Sequence, residues 1–352
     1  HKLITDYEQF SLFQDIAMDK IQNKKMKTAI KSNQQTPRVS IKTLEGFGVA
    51  PIPFWECDFE VVYPVLAKIL PSEKTVFTDF SLNTAVVCEI ICSSICHQMN
   101  WDFLRIAVRN KTESNEEWLS PDYLSQISEE EVFEMFANYP KPERIRKEER
   151  AKLLRSIGCW LKRFNTVENA FLNRAGDLLA CSVIRSNLLS CEVFSNDPEE
   201  KKLHLLFQKL AAFSELAGLA KYCQPAIDYH LIRCYLRRGL LVAKTKYAKD
   251  FLYNSNTQRK ESTMAAIRHL CAEILLNICD YTCLDTYSVN QIEWNIGRSI
   301  CIRDNPDCFL KSKDAKWLKP NFQVCPFFDS CASTSNKELL HLNEPIYTGS
   351  SY

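Results

Sequence analysis

The sequence is poor in glycine, balanced in charge and free of long apolar segments. Only 8 of its 352 residues are glycine, which favours helix-rich packing over a turn-rich sheet protein. The formal net charge is +1, so the composition alone does not indicate a polyanionic partner. No run of about 18 apolar residues is free of charge, and we therefore expect no membrane span.

Cysteine, in contrast, is abundant. Sixteen cysteines in a chain without a recognisable signal peptide indicate a reducing compartment, nucleus or cytoplasm, rather than a disulfide framework. Many occupy apolar faces of predicted helices, where cysteine acts as a small hydrophobic residue. These cysteines are Cys88, Cys92, Cys96, Cys271 and Cys279.

Four further cysteines are grouped near the C-terminus. Cys301, Cys308, Cys325 and Cys331 follow the spacing C-x6-C-x16-C-x5-C. Four thiolates in a short span can hold a zinc ion or a 4Fe–4S cluster. Zinc sites usually use tighter pairs of cysteines, so the gaps of six and five residues favour a 4Fe–4S cluster. A zinc loop and four unrelated reduced thiols stay open as alternatives.

The patterning divides the chain into four parts. We expect a polar N-terminal extension (1–45), a helical domain (46–300), a cluster loop (301–331) and a flexible, Ser/Thr-rich tail (332–352). Within the domain, residues 202–222 are predicted as one continuous helix and residues 247–256 as a short polar link.

A buried helix is predicted over residues 79–108, or two helices with a break near Asn100. Polar side chains stand beside an indole at this break: His97, Gln98 and Trp101. Such a group can line a pocket for a base, or it can simply end a helix. Further along, residues 141–163 hold nine Lys/Arg against three Asp/Glu, which indicates either a phosphate-binding face or a solvated one.

Residues 225–233 read PAIDYHLIR. This stretch resembles the V-D-x-H-(I/V)-x-R signature of helix-hairpin-helix DNA glycosylases. In that family the acidic residue, here Asp228, faces the base pocket, where a carboxylate stabilises the positive charge that develops on the sugar. The alternative is a plain helix N-cap. His230 is expected to contact the substrate, and Arg233 to bind a phosphate or pair with a carboxylate.

Lys209 lies in an apolar helical segment, 19 residues before Asp228. Bifunctional glycosylases attack the sugar with a desolvated lysine amine, so Lys209 is the candidate nucleophile; alternatively, its side chain only covers apolar surface. The sequence lacks the glycine-rich hairpin that surrounds this lysine in the endonuclease III branch.

The cysteine spacing resembles the cluster loop of the same branch, with Pro306 in the matching place. The family has two residues in the middle gap, whereas this chain has sixteen, residues 309–324, and the sequence does not settle whether they contact the substrate or a partner. The body, residues 125–300, also resembles archaeal 8-oxoguanine glycosylases and the queuosine salvage family. In this outline Trp294 belongs to a late helix and either stacks on a substrate or packs in the core.

The resemblance implies an all-α, two-lobed glycosylase-like fold with Asp228 in the cleft. The expected activity is hydrolysis of the N-glycosidic bond of a modified or damaged base, preferably in DNA, with possible lyase activity and a 4Fe–4S cluster as cofactor. A queuosine-type nucleotide glycosylase is the second hypothesis. A non-catalytic nucleic-acid reader and a zinc-stabilised scaffold are the others. We expect a monomer with no membrane partner.

Overall fold

The computed structural model describes residues 46–50, 56–71, 76–164, 178–253, 261–345, 347 and 349. By its internal contacts the chain divides into two units, His1–Arg38 and Val39–Tyr352. The predicted N-terminal extension 1–45 lies outside the described residues. The second unit contains every described helix and strand.

Most of the described residues are helical, which confirms the all-α prediction at the level of fold class. The helices are α1 (Glu56–Ile69), α2 (Leu82–Ile95), α3 (Trp101–Ser114), α4 (Pro121–Leu124), α5 (Glu129–Met135), α6 (Lys147–Leu161), α7 (Leu178–Leu189), α8 (Glu192–Ser195), α9 (Lys201–Leu210), α10 (Tyr229–Arg238), α11 (Lys246–Tyr253), α12 (Glu261–Thr282), α13 (Thr286–Ser299), α14 (Ala332–Ser335) and α15 (Lys337–Leu340). Within the described residues, 3-10 helices cover Glu116–Leu119, Pro142–Arg144 and Ser214–Tyr222. None of the helices in the described ranges combines the length and apolar composition that a membrane crossing needs.

A small antiparallel sheet, absent from the sequence prediction, joins distant parts of the chain. Strand β1 (Phe47–Val49) pairs with β2 (Leu241–Ala243), and Gly48 lies opposite Val242. Each strand has three residues, which is too short for a readable alternation of apolar and polar side chains.

The first lobe comprises the described residues of 76–223 and is built around α2. Every residue of α2 from Thr84 to Ile95 is buried, because the helix is apolar or small on nearly all faces. Asn100 caps α3 by accepting a hydrogen bond from the Phe103 backbone N–H over 2.9 Å. The chain therefore forms two helices here, which confirms the second of the two predicted alternatives.

The second lobe comprises the described residues of 46–71 and 226–345. Its apolar core is formed by α1, the small sheet and α10–α13. The predicted cluster loop belongs to this core as well, because Leu310, Ala315, Leu318 and Phe327 are all buried in it. The loop is thus packed into the lobe rather than standing apart from it.

Two arginine–aspartate ion pairs between described residues link the lobes. Asp197 of the first lobe and Arg268 of α12 form a buried, two-bonded pair at 2.9 and 3.2 Å. Asp102 at the start of α3 and Arg298 at the end of α13 form a second pair that is partly exposed. Charged side chains of the two lobes thus pair directly with one another.

Three segments differ from their predictions. The helix predicted over 202–222 ends at Leu210, and a 3-10 helix follows after a turn. The predicted polar link at 247–256 is helical over Lys246–Tyr253. The tail residues 332–345, expected to be flexible, form two short helices, and Leu342 and Glu344 are buried.

Candidate functional site

A cavity of ≈ 650 Å³ lies between the two lobes. This volume suits a small organic ligand. Six of the residues singled out from the sequence line it: Gln98, Trp101, Lys209, Asp228, His230 and Trp294. The first three belong to the first lobe and the last three to the second, so the fold brings together side chains that are far apart in the chain.

Asp228 is both the N-cap of α10 and part of the cavity wall. Its Oδ1 accepts hydrogen bonds from the backbone N–H groups of His230, at 2.8 Å, and Leu231, at 3.3 Å. Only 7% of the residue is exposed. Oδ2 makes no hydrogen bond to any described residue. The helix N-terminus stabilises the carboxylate, and one oxygen stays available to the cavity.

Local features define the two ends of α10. The Asn290 Oδ1 of α13 accepts a hydrogen bond from the Ala226 backbone N–H at 2.7 Å and fixes the turn that precedes Asp228. At the other end, α10 closes on Gly239, whose φ of 77° is left-handed and favours glycine.

Lys209 lies between the indoles of the two lobes. Its Nζ is 5.1 Å from the ring centroid of Trp101 and 5.8 Å from that of Trp294. Only 3% of the lysine is exposed, and it lines the cavity at the end of α9. Both aromatic contacts are within the range of cation–π attraction, so the ammonium group and the two rings form one wall.

His230 is held in one tautomer. Its Nδ1 lies 2.9 Å from Nη2 of Arg233, and a guanidinium can only donate, so Nδ1 accepts and Nε2 holds the proton. Burial lowers the pKa of His230, although Asp228 opposes this shift. Gly297 of α13 packs directly on His230, where an added Cβ would lie 2.7 Å from the histidine Cβ. In this tautomer Nε2–H is the ring donor of a residue that lines the cavity.

Arg233 does not line the cavity. Its Nη1 donates to Glu344 at 2.8 Å, its Nε to the Cys301 carbonyl at 2.7 Å, and its Nη2 to the Gly297 carbonyl at 2.9 Å. Of the two predicted roles, pairing with a carboxylate is the one present. The residue joins α10 to the cluster loop and to the C-terminal segment.

The neighbouring residues His97 and Gln98, which follow α2, lie in different surroundings. His97 is buried against Glu149, outside the cavity lining, and burial lowers the pKa of His97 to about 3. Gln98 lines the cavity with φ at 55°, an unusual conformation for a non-glycine residue, and its Nε2 donates to the Tyr347 carbonyl at 3.0 Å.

Several cavity residues were missed from the sequence. Gln208 is fully buried, and its Oε1 accepts from Gln291 Nε2 at 3.3 Å. The Nε2 of Gln208 and the indole N–H of Trp101 have no hydrogen-bond partner among the described residues. The signal for Gln208 was present, because it is a polar residue inside an apolar helical segment, next to Lys209. Four further cations also line the cavity: Lys141, Arg144, Lys201 and Arg298.

The four grouped cysteines lie together in the second lobe. Arg237 contacts two of them, since its Nη1 donates to Cys301 Sγ at 3.6 Å and its carbonyl accepts from Cys331 Sγ at 3.6 Å. The Cys325 backbone N–H donates to the Cys308 carbonyl at 2.7 Å. Across the described ranges, no three His, Cys, Asp or Glu side chains converge as one metal ion would require.

The thiols influence one another electrostatically. Burial and two neighbouring thiols raise the pKa of Cys308 to about 11, and burial raises the pKa of Cys325, with smaller contributions from the other three. A hydrogen bond from the buried Cys234 thiol, together with nearby arginine, lowers the pKa of Cys301. The thiols of this group therefore lie within electrostatic reach of one another, beside Arg237.

The predicted apolar placement of the scattered cysteines is confirmed for Cys88, Cys92, Cys271 and Cys279, which are buried. Cys96 is half-buried and lines the cavity.

The chain matches no model of a known protein family and no curated protein.

Proposed function

We propose that the protein is an N-glycosylase that cleaves the bond between a nucleobase and its sugar. The observation that supports this best is Asp228. It is a buried carboxylate at a helix N-terminus that lines the cavity of ≈ 650 Å³, and one of its oxygens makes no hydrogen bond to a described residue. A carboxylate in this setting stabilises the positive charge that grows on the sugar as the bond breaks.

The residues around Asp228 suit the remaining steps. The C1′–N bond breaks, the electron pair leaves with the base, and the base takes up a proton. The neutral His230 supplies one N–H donor toward the leaving base. The indoles of Trp101 and Trp294, with the Lys209 amine between them, form one wall of the space for a flat ring. The C1′ centre is then attacked either by water, whose proton passes to Asp228, or by the Lys209 amine.

Nucleic acid is the preferred substrate. Its support is the likeness of the cysteine spacing to the cluster loop of DNA glycosylases, together with cations at the cavity. Lys141 and Arg144, from the basic segment identified in the sequence, both line it. A base in a polymer would have to be turned out of the stack to enter.

A free nucleotide is the second candidate, favoured by a different observation. Lys201 lines the cavity, is only 7% exposed, and its ammonium group has no hydrogen bond or ion pair within the described part of the chain. A cation inside the cavity itself suits a phosphate that enters together with the base.

We also propose that Cys301, Cys308, Cys325 and Cys331 hold a 4Fe–4S cluster. The set of four thiol donors, its spacing and the neighbouring Arg237 support this assignment. The cluster would hold the four cysteines of the loop together beside α10.

The test is direct measurement of base release. Purified protein is incubated with duplex and single-stranded oligonucleotides that contain one modified base, and with the matching 5′-mononucleotides, and free base is quantified by chromatography. Release from oligonucleotides supports the preferred substrate, and release from mononucleotides alone supports the second candidate. Binding without release by every substrate would show a reader and refute the enzyme proposal.

A further inference from the structure

The sixteen-residue insert of the cluster loop is a packed segment. It leaves at Cys308 and returns at Cys325, and the backbone hydrogen bond between these two residues closes its base. The Asp307 carboxylate accepts from the backbone N–H groups of Lys311, at 2.8 Å, and Ser312, at 2.7 Å, which shapes the first turn. Leu310 and Leu318 anchor the segment in the core of the second lobe.

The insert reaches the cavity between the lobes. Asp314 and Trp317 both line it. The Trp317 indole N–H donates to Ser299 Oγ at 3.2 Å, and Ser299 Oγ donates to the Asn295 carbonyl at 2.6 Å, so the ring is held against α13. Trp317 is the third tryptophan of the cavity wall, with Trp101 and Trp294.

Asp314 is opposite in charge to the cations of the cavity lining. It is exposed, and it makes no hydrogen bond or ion pair with any described residue. Apart from Asp228, it is the only carboxylate among the lining residues, which otherwise include five cations. An ionised carboxylate accepts hydrogen bonds and cannot donate them. It therefore selects ligand groups that donate.

We infer that the insert is the substrate-selecting wall of the cavity. Trp317 packs on the flat ring of the base, and Asp314 accepts a hydrogen bond from an exocyclic amino group of that base. This inference rests on the proposed glycosylase function and adds the substrate class: bases that carry an N–H donor on the edge facing the insert. If the insert served only to pack the second lobe, neither Asp314 nor Trp317 would need to face the cavity.

Substrate pairs that differ by one amino group test the inference. Guanine is compared with hypoxanthine, and 2,6-diaminopurine with adenine, each in the same oligonucleotide and as the mononucleotide. The ratio of kcat/KM within a pair measures the preference for the amino group. The variants are Asp314→Asn, Trp317→Ala and Trp317→Phe. The matched controls are Asp304→Asn and Phe309→Ala, exposed residues of the cluster loop that do not line the cavity.

We expect Asp314→Asn to reduce the amino preference by about tenfold, because a charged hydrogen bond is replaced by a neutral one. Trp317→Ala should raise KM by about tenfold with a smaller change in kcat, and Trp317→Phe should retain most of the binding. The controls should match the wild type. An unchanged preference in Asp314→Asn together with an unchanged KM in Trp317→Ala would overturn the inference while leaving the glycosylase proposal intact.

A binding measurement separates failure of the inference from failure of the proposed function. Free guanine and hypoxanthine are titrated by calorimetry into the wild-type protein and into the insert variants Asp314→Asn and Trp317→Ala. If the wild type binds guanine but releases no base from any substrate, the glycosylase proposal fails. Weaker guanine binding by the insert variants would then still support the selecting wall. Equal binding by all proteins, or no binding by the wild type, would overturn it.

Discussion

Arg233 of α10 donates a hydrogen bond to the carboxylate of Glu344 over 2.8 Å, although 111 positions separate them in the chain. The second oxygen of Glu344 accepts from Arg303 Nη1, also at 2.8 Å. Arg233 and Glu344 are both buried. One carboxylate therefore ties the helix that begins at Asp228 to the cluster loop and to the C-terminal segment.

We expect Glu344→Ala to lower the free energy of unfolding by about 3–5 kcal/mol, because it leaves the buried Arg233 without its counter-charge. Urea unfolding followed by circular dichroism measures this loss. Glu338→Ala, at a neighbouring exposed position of α15, serves as the control and should change stability by less than about 0.5 kcal/mol. Equal effects of the two substitutions would contradict the structural role assigned to Glu344.

Substitution of Asp228 separates its two roles. Asparagine caps helices as well as aspartate, so Asp228→Asn should keep stability while base release falls by at least about 10³-fold. Asp228→Ala should lose the activity and also about 1 kcal/mol of stability. Asp285→Asn alters the N-cap of α13, outside the cavity lining, and should leave activity unchanged. Full activity in Asp228→Asn would refute the proposed mechanism.

Lys209 can be tested by chemical trapping. If its amine attacks C1′, the base leaves with the electron pair and an iminium ion joins the lysine to the sugar. Borohydride then delivers a hydride to this ion and fixes the adduct as a stable amine. We expect a shifted band on a denaturing gel with labelled substrate, lost in Lys209→Gln and kept in the exposed control Lys221→Gln. Base release without an adduct would indicate the water mechanism.

Protein purified without oxygen should be brown, with absorbance near about 400 nm and about four irons per chain. Serine substitution of Cys301, Cys308, Cys325 or Cys331 should each reduce the iron content and the absorbance. Cys283→Ser, at an exposed cysteine outside the group, should reduce neither. A colourless protein with one zinc per chain would contradict the cluster proposal.

Acid should destabilise the protein through its buried histidines. Burial lowers the pKa of His97 and of His204 to about 3, below the ordinary value of 6.5. The unfolded chain therefore binds protons that the folded chain does not. The free energy of unfolding should fall below pH 6.5 by about 1.4 kcal/mol per pH unit for each histidine.

Denaturant unfolding at pH 7.5 and 5.5 measures this loss, and His204→Gln should reduce it.

His269 is the opposite case, since a hydrogen bond to Glu199 raises its pKa. The protonated His269 stabilises the folded state below pH 6.5, and this contribution is lost as the pH rises through the raised pKa. His269→Gln should therefore lower the free energy of unfolding at pH 5.5 and not at pH 7.5. The role assigned to His269 would be contradicted if His269→Gln reduced the loss of stability between pH 7.5 and pH 5.5.

Local signals in the sequence were sufficient for much of the fold. The capping box of Ser128 and Glu131 starts α5 as the residue pattern predicts, and Asn100 separates α2 from α3. The small sheet was missed because its strands meet across more than 190 residues and each is only three residues long. The predicted helix over 202–222 changes to a 3-10 helix although nothing in its apolar spacing marks the change.

At the site, too, residues with a local sequence signal were predicted and residues placed by long-range contacts were not. Asp228 and Lys209 were identified because motif and context surround each of them in the chain. Lys201 and Trp317 acquire their places only when the lobes come together, and no local pattern distinguishes them from ordinary surface or core residues. Arg233 was assigned to two possible roles because its carboxylate partner lies in a segment that the sequence predicted to be flexible.

The hydrogen bond between Cys308 and Cys325 has a consequence for how this protein can diversify. A segment whose ends are fixed side by side can change length at little cost, since doubling such a loop costs only about 0.6 kcal/mol in closure entropy. Residues can therefore be added between these cysteines, away from the buried Leu310, Ala315 and Leu318, while the cysteine pairs and α10 keep their positions. Such additions would change the surface beside the cavity without altering the start of α10 at Asp228.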